Sequence, residues 1–353
     1  MRRAVTLALA VVAVAAAGAL TPVSAAPAAS ASGGLDHCTG TAPVTCHFDV
    51  APGDYDVSVE LGGVAEGSTS VSGETRRALL AETATAAGHT VRRSFTVDVR
   101  TPEGEPTGPA GNDGLDLTFA GSAPELASIQ IKPARTASHG TPRIFLVGDS
   151  TVCDQPAEPY TGWGQELPQF LKRGVSVANY ADSGESSVTY LENPALFPTV
   201  QPLIRRGDLV LVQLAHNDKT TDAATYRANL ETLLDGVRAR GGRPVLVTPI
   251  VRRWFNTDGT LNNDTALLVN GLGVNHPAVI RELAAAEDVP LIDLTALTKA
   301  RVEELGVEGS KALYLYNEKK DNTHTSVRGA TEYAAFVRDA LREQKLVPAG
   351  LVR

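Results

Sequence analysis

The chain has 353 residues, 43% of them hydrophobic and 20% charged, with a formal net charge of −8. That length makes two or three domains at roughly 100–200 residues each, and the composition is that of a globular protein rather than a disordered or fibrous one. The acidic balance argues against a general nucleic-acid binder, which needs clustered Lys and Arg, and against a protein held on anionic lipid; three cysteines are too few for a disulfide scaffold or a four-ligand zinc site.

Met1-Arg2-Arg3 is a short basic start. An apolar run of about 17 residues follows from Ala4 to Leu20, then small residues with Val23-Ser24-Ala25 and Ala29-Ser30-Ala31 in the A-x-A pattern. This is the grammar of a secretory signal peptide over residues 1–31. The competing reading, a membrane anchor, is disfavoured because the run is short for a span. The expectation is a secreted, extracellular protein with no membrane association, whose net charge becomes −10 once Arg2 and Arg3 are removed. In an oxidising compartment Cys38 and Cys46 pair, closing a loop worth about 2.5 kcal/mol in the chain-entropy picture. Cys153 is left over as a small buried residue.

Residues 33–135 read as all-β. Polar and apolar residues alternate through 54–61, the second half of 91–99, 115–119 and 126–131, so each segment buries one face. Short strands at that spacing suggest a β-sandwich. Residues 101–114, rich in Gly and Pro, form a long loop. With no nucleophile–base pair, the segment reads as an accessory module, carbohydrate binding being one role open to it. Its aromatics are Phe48, Tyr55, Phe95 and Phe119, with no Trp before Trp163, which is poor material for stacking on sugars.

The grammar changes after a junction at 134–141. Over 141–353, near-continuous apolar runs at 143–148, 208–214, 244–248 and 289–294 are strands buried on both faces, the mark of a parallel sheet. Helices separate them at 226–240, 276–288 and 326–344; the first places Leu230, Leu233, Leu234 and Val237 at 3/4 spacing and stops at Gly241-Gly242. The alternation predicts a doubly wound α/β domain. No G-x-G-x-x-G follows its first strand, so nothing points to a dinucleotide.

In such sheets ligands bind beyond the carboxyl ends of the strands. The first strand ends in Gly148-Asp149-Ser150-Thr151, where Ser150 is either a nucleophile or a helix N-cap. Residues 179–187 contain Gly184 among small polar residues, able to present an N–H to a ligand. Ala215-His216-Asn217-Asp218 is either a site or turn chemistry. In Asp321-Asn322-Thr323-His324 the carboxylate sits where it can fix the imidazole tautomer, while Ser326 caps the helix that follows. Of the seven histidines only His324 has a carboxylate at this spacing.

The order Gly-Asp-Ser, then Gly, then Asn, then Asp-x-x-His, from Arg143 to the C-terminus, resembles the SGNH (GDSL-type) hydrolases. Gly148-Asp149-Ser150-Thr151-Val152 with Trp163-Gly164-Gln165, together with 247–253 and 290–294, is similar to the rhamnogalacturonan acetylesterases among them. The resemblance implies a three-layer α/β/α flavodoxin-like domain preceded by the smaller sandwich, a pairing known among related bacterial esterases. It also implies a serine carboxylic-ester hydrolase that removes O-acetyl groups from rhamnogalacturonan or pectin without cofactor or metal. Ser150 would be the nucleophile, His324 the base and Asp321 its orienting carboxylate. The N–H groups of Ser150 and Gly184 and the amide of Asn217 would form the oxyanion hole. Two positions depart from the pattern: Ala215 replaces the usual Gly, and Asp182 stands where a small apolar residue is expected.

Pectin is polyanionic, so an acidic enzyme needs a local basic patch to hold it. Trp163, His216, Arg252 and Arg253 are expected as substrate contacts, with Lys219 nearby; ordinary surface pairing is the competing reading for the cations. The expected partner is an acetylated polysaccharide or oligosaccharide, with the chain acting as a monomer. The alternatives are an esterase or lipase acting on xylan or other acyl esters, and a carbohydrate-binding protein acting through its sandwich.

Overall fold

The computed structural model describes residues 34–109, 111–134 and 142–353. The leader expected over 1–31 and the junction residues 135–141 lie outside the described residues. The first region contains β1 (Cys38–Thr39), β2 (Val44–Phe48), β3 (Gly53–Leu61), β4 (Gly67–Gly73), β5 (Arg77–Thr85), β6 (Val91–Val99), β7 (Leu115–Ala123) and β8 (Leu126–Pro133). They form two antiparallel sheets, β1-β2-β7-β4-β5 and β6-β3-β8. The period of two in β3 turns Tyr55, Val57, Val59 and Leu61 inward against Phe48, Leu117 and Phe119. All four aromatics of this region are core residues, which leaves none for a sugar platform. Cys38 and Cys46 face each other across β1 and β2 and are bonded.

The second region contains β9 (Arg143–Gly148), β10 (Ser176–Asn179), β11 (Leu209–Gln213), β12 (Arg243–Val247) and β13 (Leu291–Ile292), parallel and in the order β10-β9-β11-β12-β13. Alternation again sorts the side chains. Phe145 and Val147 pack under the helices Ala223–Ala239 and His276–Ala286, whereas Ile144 and Leu146 pack under Leu294–Gly309 and Val327–Glu343. The result is three layers. The strand expected over 289–294 is two residues long, because Asp293 accepts the N–H of Ala296 and starts a helix at Leu294.

The β3 and β6 side of the sandwich lies against β10, the edge of the parallel sheet. Asp54 accepts from Arg143 Nε at 2.8 Å and from Ser176 Oγ at 2.7 Å, and Thr96 Oγ1 accepts the N–H of Gly174 at 2.9 Å. A covered edge strand offers no free ladder for another chain.

Candidate active site

The parallel strands all deliver their carboxyl ends to one rim. At the exit of β9, no helix begins after Ser150, so its hydroxyl is not a cap. Instead Ser150 Oγ lies 2.9 Å from His324 Nε2. His324 Nδ1 lies 2.7 Å from Asp321 Oδ2. A carboxylate only accepts, so Nδ1 carries the hydrogen and the Nε2 lone pair faces the serine hydroxyl. The other oxygen of Asp321 accepts the N–H groups of Thr323 at 2.7 Å and His324 at 3.0 Å. Burial alone would raise Asp321, but these donors outweigh it and bring its pKa to about 2. Asp321 and His324 come just before Val327–Glu343, whose first turn is capped by Ser326 Oγ accepting the N–H of Gly329 at 3.2 Å. Tyr160 meets the His324 ring edge-on at 5.4 Å between centroids.

Two further residues lie at the exits of the neighbouring strands. Gly184, beyond β10, has φ +85°, a conformation that side chains with a Cβ resist. Asn217, beyond β11, spends one amide hydrogen on the carbonyl of Glu185 at 3.0 Å, which leaves the other to point elsewhere. Asp218 secures the same loop, accepting the N–H of Ser187 at 3.0 Å and its hydroxyl at 2.6 Å. Among the described residues the backbone N–H groups of Ser150 and Gly184 meet no backbone carbonyl. A serine hydroxyl, an imidazole and a carboxylate in one hydrogen-bonded chain are groups able to act as nucleophile, base and orienting acceptor in acyl transfer.

The structure corrects two expected substrate contacts. Trp163 is 1% exposed and lies in the core, donating Nε1–H to Gln213 Oε1 at 2.9 Å; Gln213 in turn donates to Thr151 Oγ1 at 2.8 Å. It supports the serine turn from beneath and cannot touch a sugar. Gly164 follows because a Cβ there would lie 2.4 Å from the carbonyl of Val152. Arg253 is also buried. Its guanidinium serves Ser310 Oγ at 3.0 Å, Asn322 Oδ1 at 2.8 Å and the carbonyl of Val307, so it braces the loop that carries Asp321.

His216 and Arg252 are placed differently. His216, 3% exposed, donates Nδ1–H to the buried Asp149 Oδ2 at 3.1 Å. Burial would raise Asp149, but His216 and the two donors of Thr151 hold it below the usual carboxylate range. Spacing hid this second histidine–carboxylate pair, because its members are 67 positions apart. Arg252 donates Nη2–H to the carbonyl of His216 at 2.9 Å and, like Lys219, forms no ion pair among the described residues. Burial pulls its guanidinium below the ordinary range, with Asp149 and Asp321 working the other way. His216, Lys219, Arg252, Leu268, Asn270 and His276 are among the residues lining a cavity of about 160 Å³.

Cys153 is fully buried, with Sγ 3.5 Å from Ser183 Oγ, and burial pushes its thiol well above the ordinary value. That disfavours the thiolate a cysteine nucleophile would need.

Residues 146–332 match the GDSL-like lipase/acylhydrolase family. Rhamnogalacturonan acetylesterase RhgT of Bacillus subtilis (strain 168) is 36% identical over 217 residues, which covers 57% of this chain and 90% of that protein. The probable rhamnogalacturonan acetylesterase YesY of the same organism is 31% identical over 210 residues, 57% of this chain and 92% of its own length. The crystal structure of the protein YxiM from Bacillus subtilis superposes with a TM-score of 0.53 at 25% identity, covering 86% of this chain and 80% of that one. A likeness of that extent reaches beyond the parallel-sheet region into the sandwich.

Proposed function

We propose that this chain, which belongs to the GDSL-like lipase/acylhydrolase family and is an esterase, removes O-acetyl groups from a plant cell-wall polysaccharide, with rhamnogalacturonan as substrate. The observation that carries the proposal is the hydrogen-bonded chain Ser150–His324–Asp321, at 2.9 and 2.7 Å. Ser150 Oγ attacks the acetyl carbonyl carbon while its proton passes to His324 Nε2. The oxyanion is held by the N–H groups of Ser150 and Gly184 and the amide of Asn217. As the tetrahedral species collapses, the sugar oxygen leaves and takes the proton from His324. Water then attacks the acetyl-serine, giving its proton to His324; acetate departs and the serine hydroxyl is restored. Throughout, Asp321 stays ionised and faces the imidazolium that forms.

Support for an acetylated acidic polysaccharide comes from two sides. Two relatives, each matching 57% of the chain, carry the name rhamnogalacturonan acetylesterase, one of them as probable. Arg252 and Lys219, which form no ion pair among the described residues, line one cavity with His216 and are suited to a uronate carboxylate. We further propose secretion, which the apolar leader and the Cys38–Cys46 bond favour. The test is acetate release from acetylated rhamnogalacturonan and from neutral acetylated xylan, with Ser150→Ala as blank. Release from rhamnogalacturonan at least tenfold faster than from xylan, and absent in the blank, is expected; equal rates on both would remove the uronate reading, and an active blank would remove the serine mechanism.

A further inference from the structure

Asp182, the residue out of keeping with the family pattern, has its explanation in the sandwich. The loop between β6 and β7 reaches across to the exits of β9 and β10. Thr107 donates its N–H to Asp182 Oδ1 at 3.1 Å and its hydroxyl to Asp182 Oδ2. Two residues earlier, Glu105, 8% exposed, takes both donors of Ser183: the N–H on Oε2 at 2.8 Å and the hydroxyl on Oε1 at 3.0 Å. Ser183 Oγ also accepts from Gln155 Nε2 at 3.3 Å, and the same nitrogen donates to the carbonyl of Ser150 at 2.9 Å. A single carboxylate of the sandwich is thus one residue from Gly184 and three hydrogen bonds from the nucleophile's backbone.

Gly184 needs such a restraint. A Cβ built on it would meet nothing within 4 Å, so no packing wedges it in place. A glycine so placed has wide backbone freedom, and an oxyanion donor works only if its N–H already points where the charge develops. Direction has to come from hydrogen bonds on either side. Asn217 supplies one downstream, at Glu185; Glu105 and Thr107 supply those upstream, at Ser183 and Asp182.

We propose that Glu105 is a positioning residue for catalysis: by holding the N–H and hydroxyl of Ser183 it orients the peptide that follows so that the Gly184 N–H meets the oxyanion, and the sandwich thereby completes the active site of the hydrolase region. The proposal rests on the reading of Ser150 as nucleophile and Gly184 as oxyanion donor. Gln in place of Glu105 keeps one acceptor for the Ser183 N–H and one partner for its hydroxyl, whereas Ala keeps neither.

The experiment is steady-state hydrolysis of p-nitrophenyl acetate by the full chain and its variants. Glu105→Ala is expected to lower kcat 10- to 100-fold, short of the 10²–10³ for outright loss of a donor, with KM within about twofold. Glu105→Gln is expected to restore kcat to within about threefold of wild type. A Glu105→Ala enzyme with wild-type kcat, or a Glu105→Gln enzyme as slow as the Ala variant, overturns the proposal. If Glu105→Ala does not fold, Ser183→Ala and Thr107→Val replace it; several-fold losses in kcat at constant KM support the proposal, and unchanged kcat in both overturns it. Ser150→Ala, run alongside, separates the two ideas. An active Ser150→Ala enzyme refutes the serine reading itself, whereas an inactive one beside an unimpaired Glu105→Ala enzyme refutes only the positioning role.

Discussion

Asp321→Asn is the substitution whose consequence follows most directly from the geometry. One carboxylate oxygen of Asp321 takes two backbone N–H groups, at 2.7 and 3.0 Å, and the other takes His324 Nδ1–H at 2.7 Å. An asparagine must put its oxygen where the two N–H groups converge, because its NH₂ there would face two donors. The NH₂ then points at Nδ1, which has to become an acceptor, and the ring hydrogen moves to Nε2. A protonated Nε2 cannot take the proton of Ser150. The expected loss in kcat is on the order of 10³–10⁴-fold, as for the wrong tautomer in a serine triad, with KM for p-nitrophenyl acetate nearly unchanged. Stability offers a second measure. Asp321 has a folded pKa of about 2 against an ordinary 3.8, a difference worth about 2 kcal/mol at about 1.4 kcal/mol per unit. Because the folded value is lowered, this contribution is complete above the unfolded pKa and is lost as pH falls through about 2. Urea denaturation should therefore show the variant less stable at pH 7, with the gap closing toward pH 2. Retention of more than a tenth of wild-type kcat by Asp321→Asn would show that the carboxylate does not set the tautomer.

Asn217→Ala should lower kcat on the order of 10²–10³-fold, as expected for a lost oxyanion donor; a change confined to KM would make Asn217 a substrate contact instead. Arg252→Ala should raise KM for acetylated rhamnogalacturonan about tenfold or more, the worth of a charged hydrogen bond, and leave acetylated xylan nearly untouched; equal damage on both substrates would refute a carboxylate contact. Glu74 has a fully buried side chain, and burial, against the pull of Arg77 at 3.9 Å, raises its pKa to about 8. The native state then holds a proton that the unfolded chain releases, so this group's contribution to stability falls as pH rises from the ordinary 4.5 to about 8, by at most about 5 kcal/mol. Glu74→Gln should flatten the decline of Tm between pH 5 and pH 8 relative to wild type; identical slopes in the two proteins would contradict the assignment.

The parallel sheet was legible because its signals are local, whereas local residues left Ser150 open between nucleophile and cap and only the order of motifs joined it to Asp321 and His324. Gly148-Asp149-Ser150 ends an apolar strand, and Asp321 and His324 are three residues apart before a capped helix. What stayed hidden depends on distant partners. β5, Arg77–Thr85, is rich in Ala, Leu and Glu, which favour helix, and is a strand because β4 pairs with it. Arg252 and Arg253 are adjacent and chemically identical in sequence. Only packing separates the guanidinium at the cavity from the one locked onto Ser310 and Asn322. Trp163 was read as a sugar contact because an aromatic beside a catalytic motif fits either role, and only its burial decides. Glu105 and Thr107 lie in a Gly- and Pro-rich loop with no periodicity, and their partners are 78 and 75 positions away; the single trace of them in the sequence was the unexpected carboxylate at Asp182.

The packing also changes what the net charge means for an acidic substrate. Among the described residues nine carboxylate side chains are buried, against three buried guanidiniums. Asp154 is fully buried between Arg77 Nε at 3.0 Å and Arg100 Nη2 at 3.2 Å, both from the sandwich. Asp182 spends its oxygens on Thr107, and Asp218 on Ser187 and Thr221. Burial raises the pKa of Asp98, Glu103, Glu105 and Glu166. The acidic excess in the sequence is thus partly an internal matter, matched by fixed donors at the junction of sandwich and hydrolase rather than displayed to solvent. Removing one member of a buried ion pair costs about 3–5 kcal/mol because the other is left uncompensated, so Asp154 with Arg77 and Arg100 fixes how the two regions dock. That docking sets Glu105 on Ser183. Salt screens the charges that oppose a polyanion at the surface within about 10 Å. At the cavity that His216 also lines, Arg252 and Lys219 form no ion pair among the described residues.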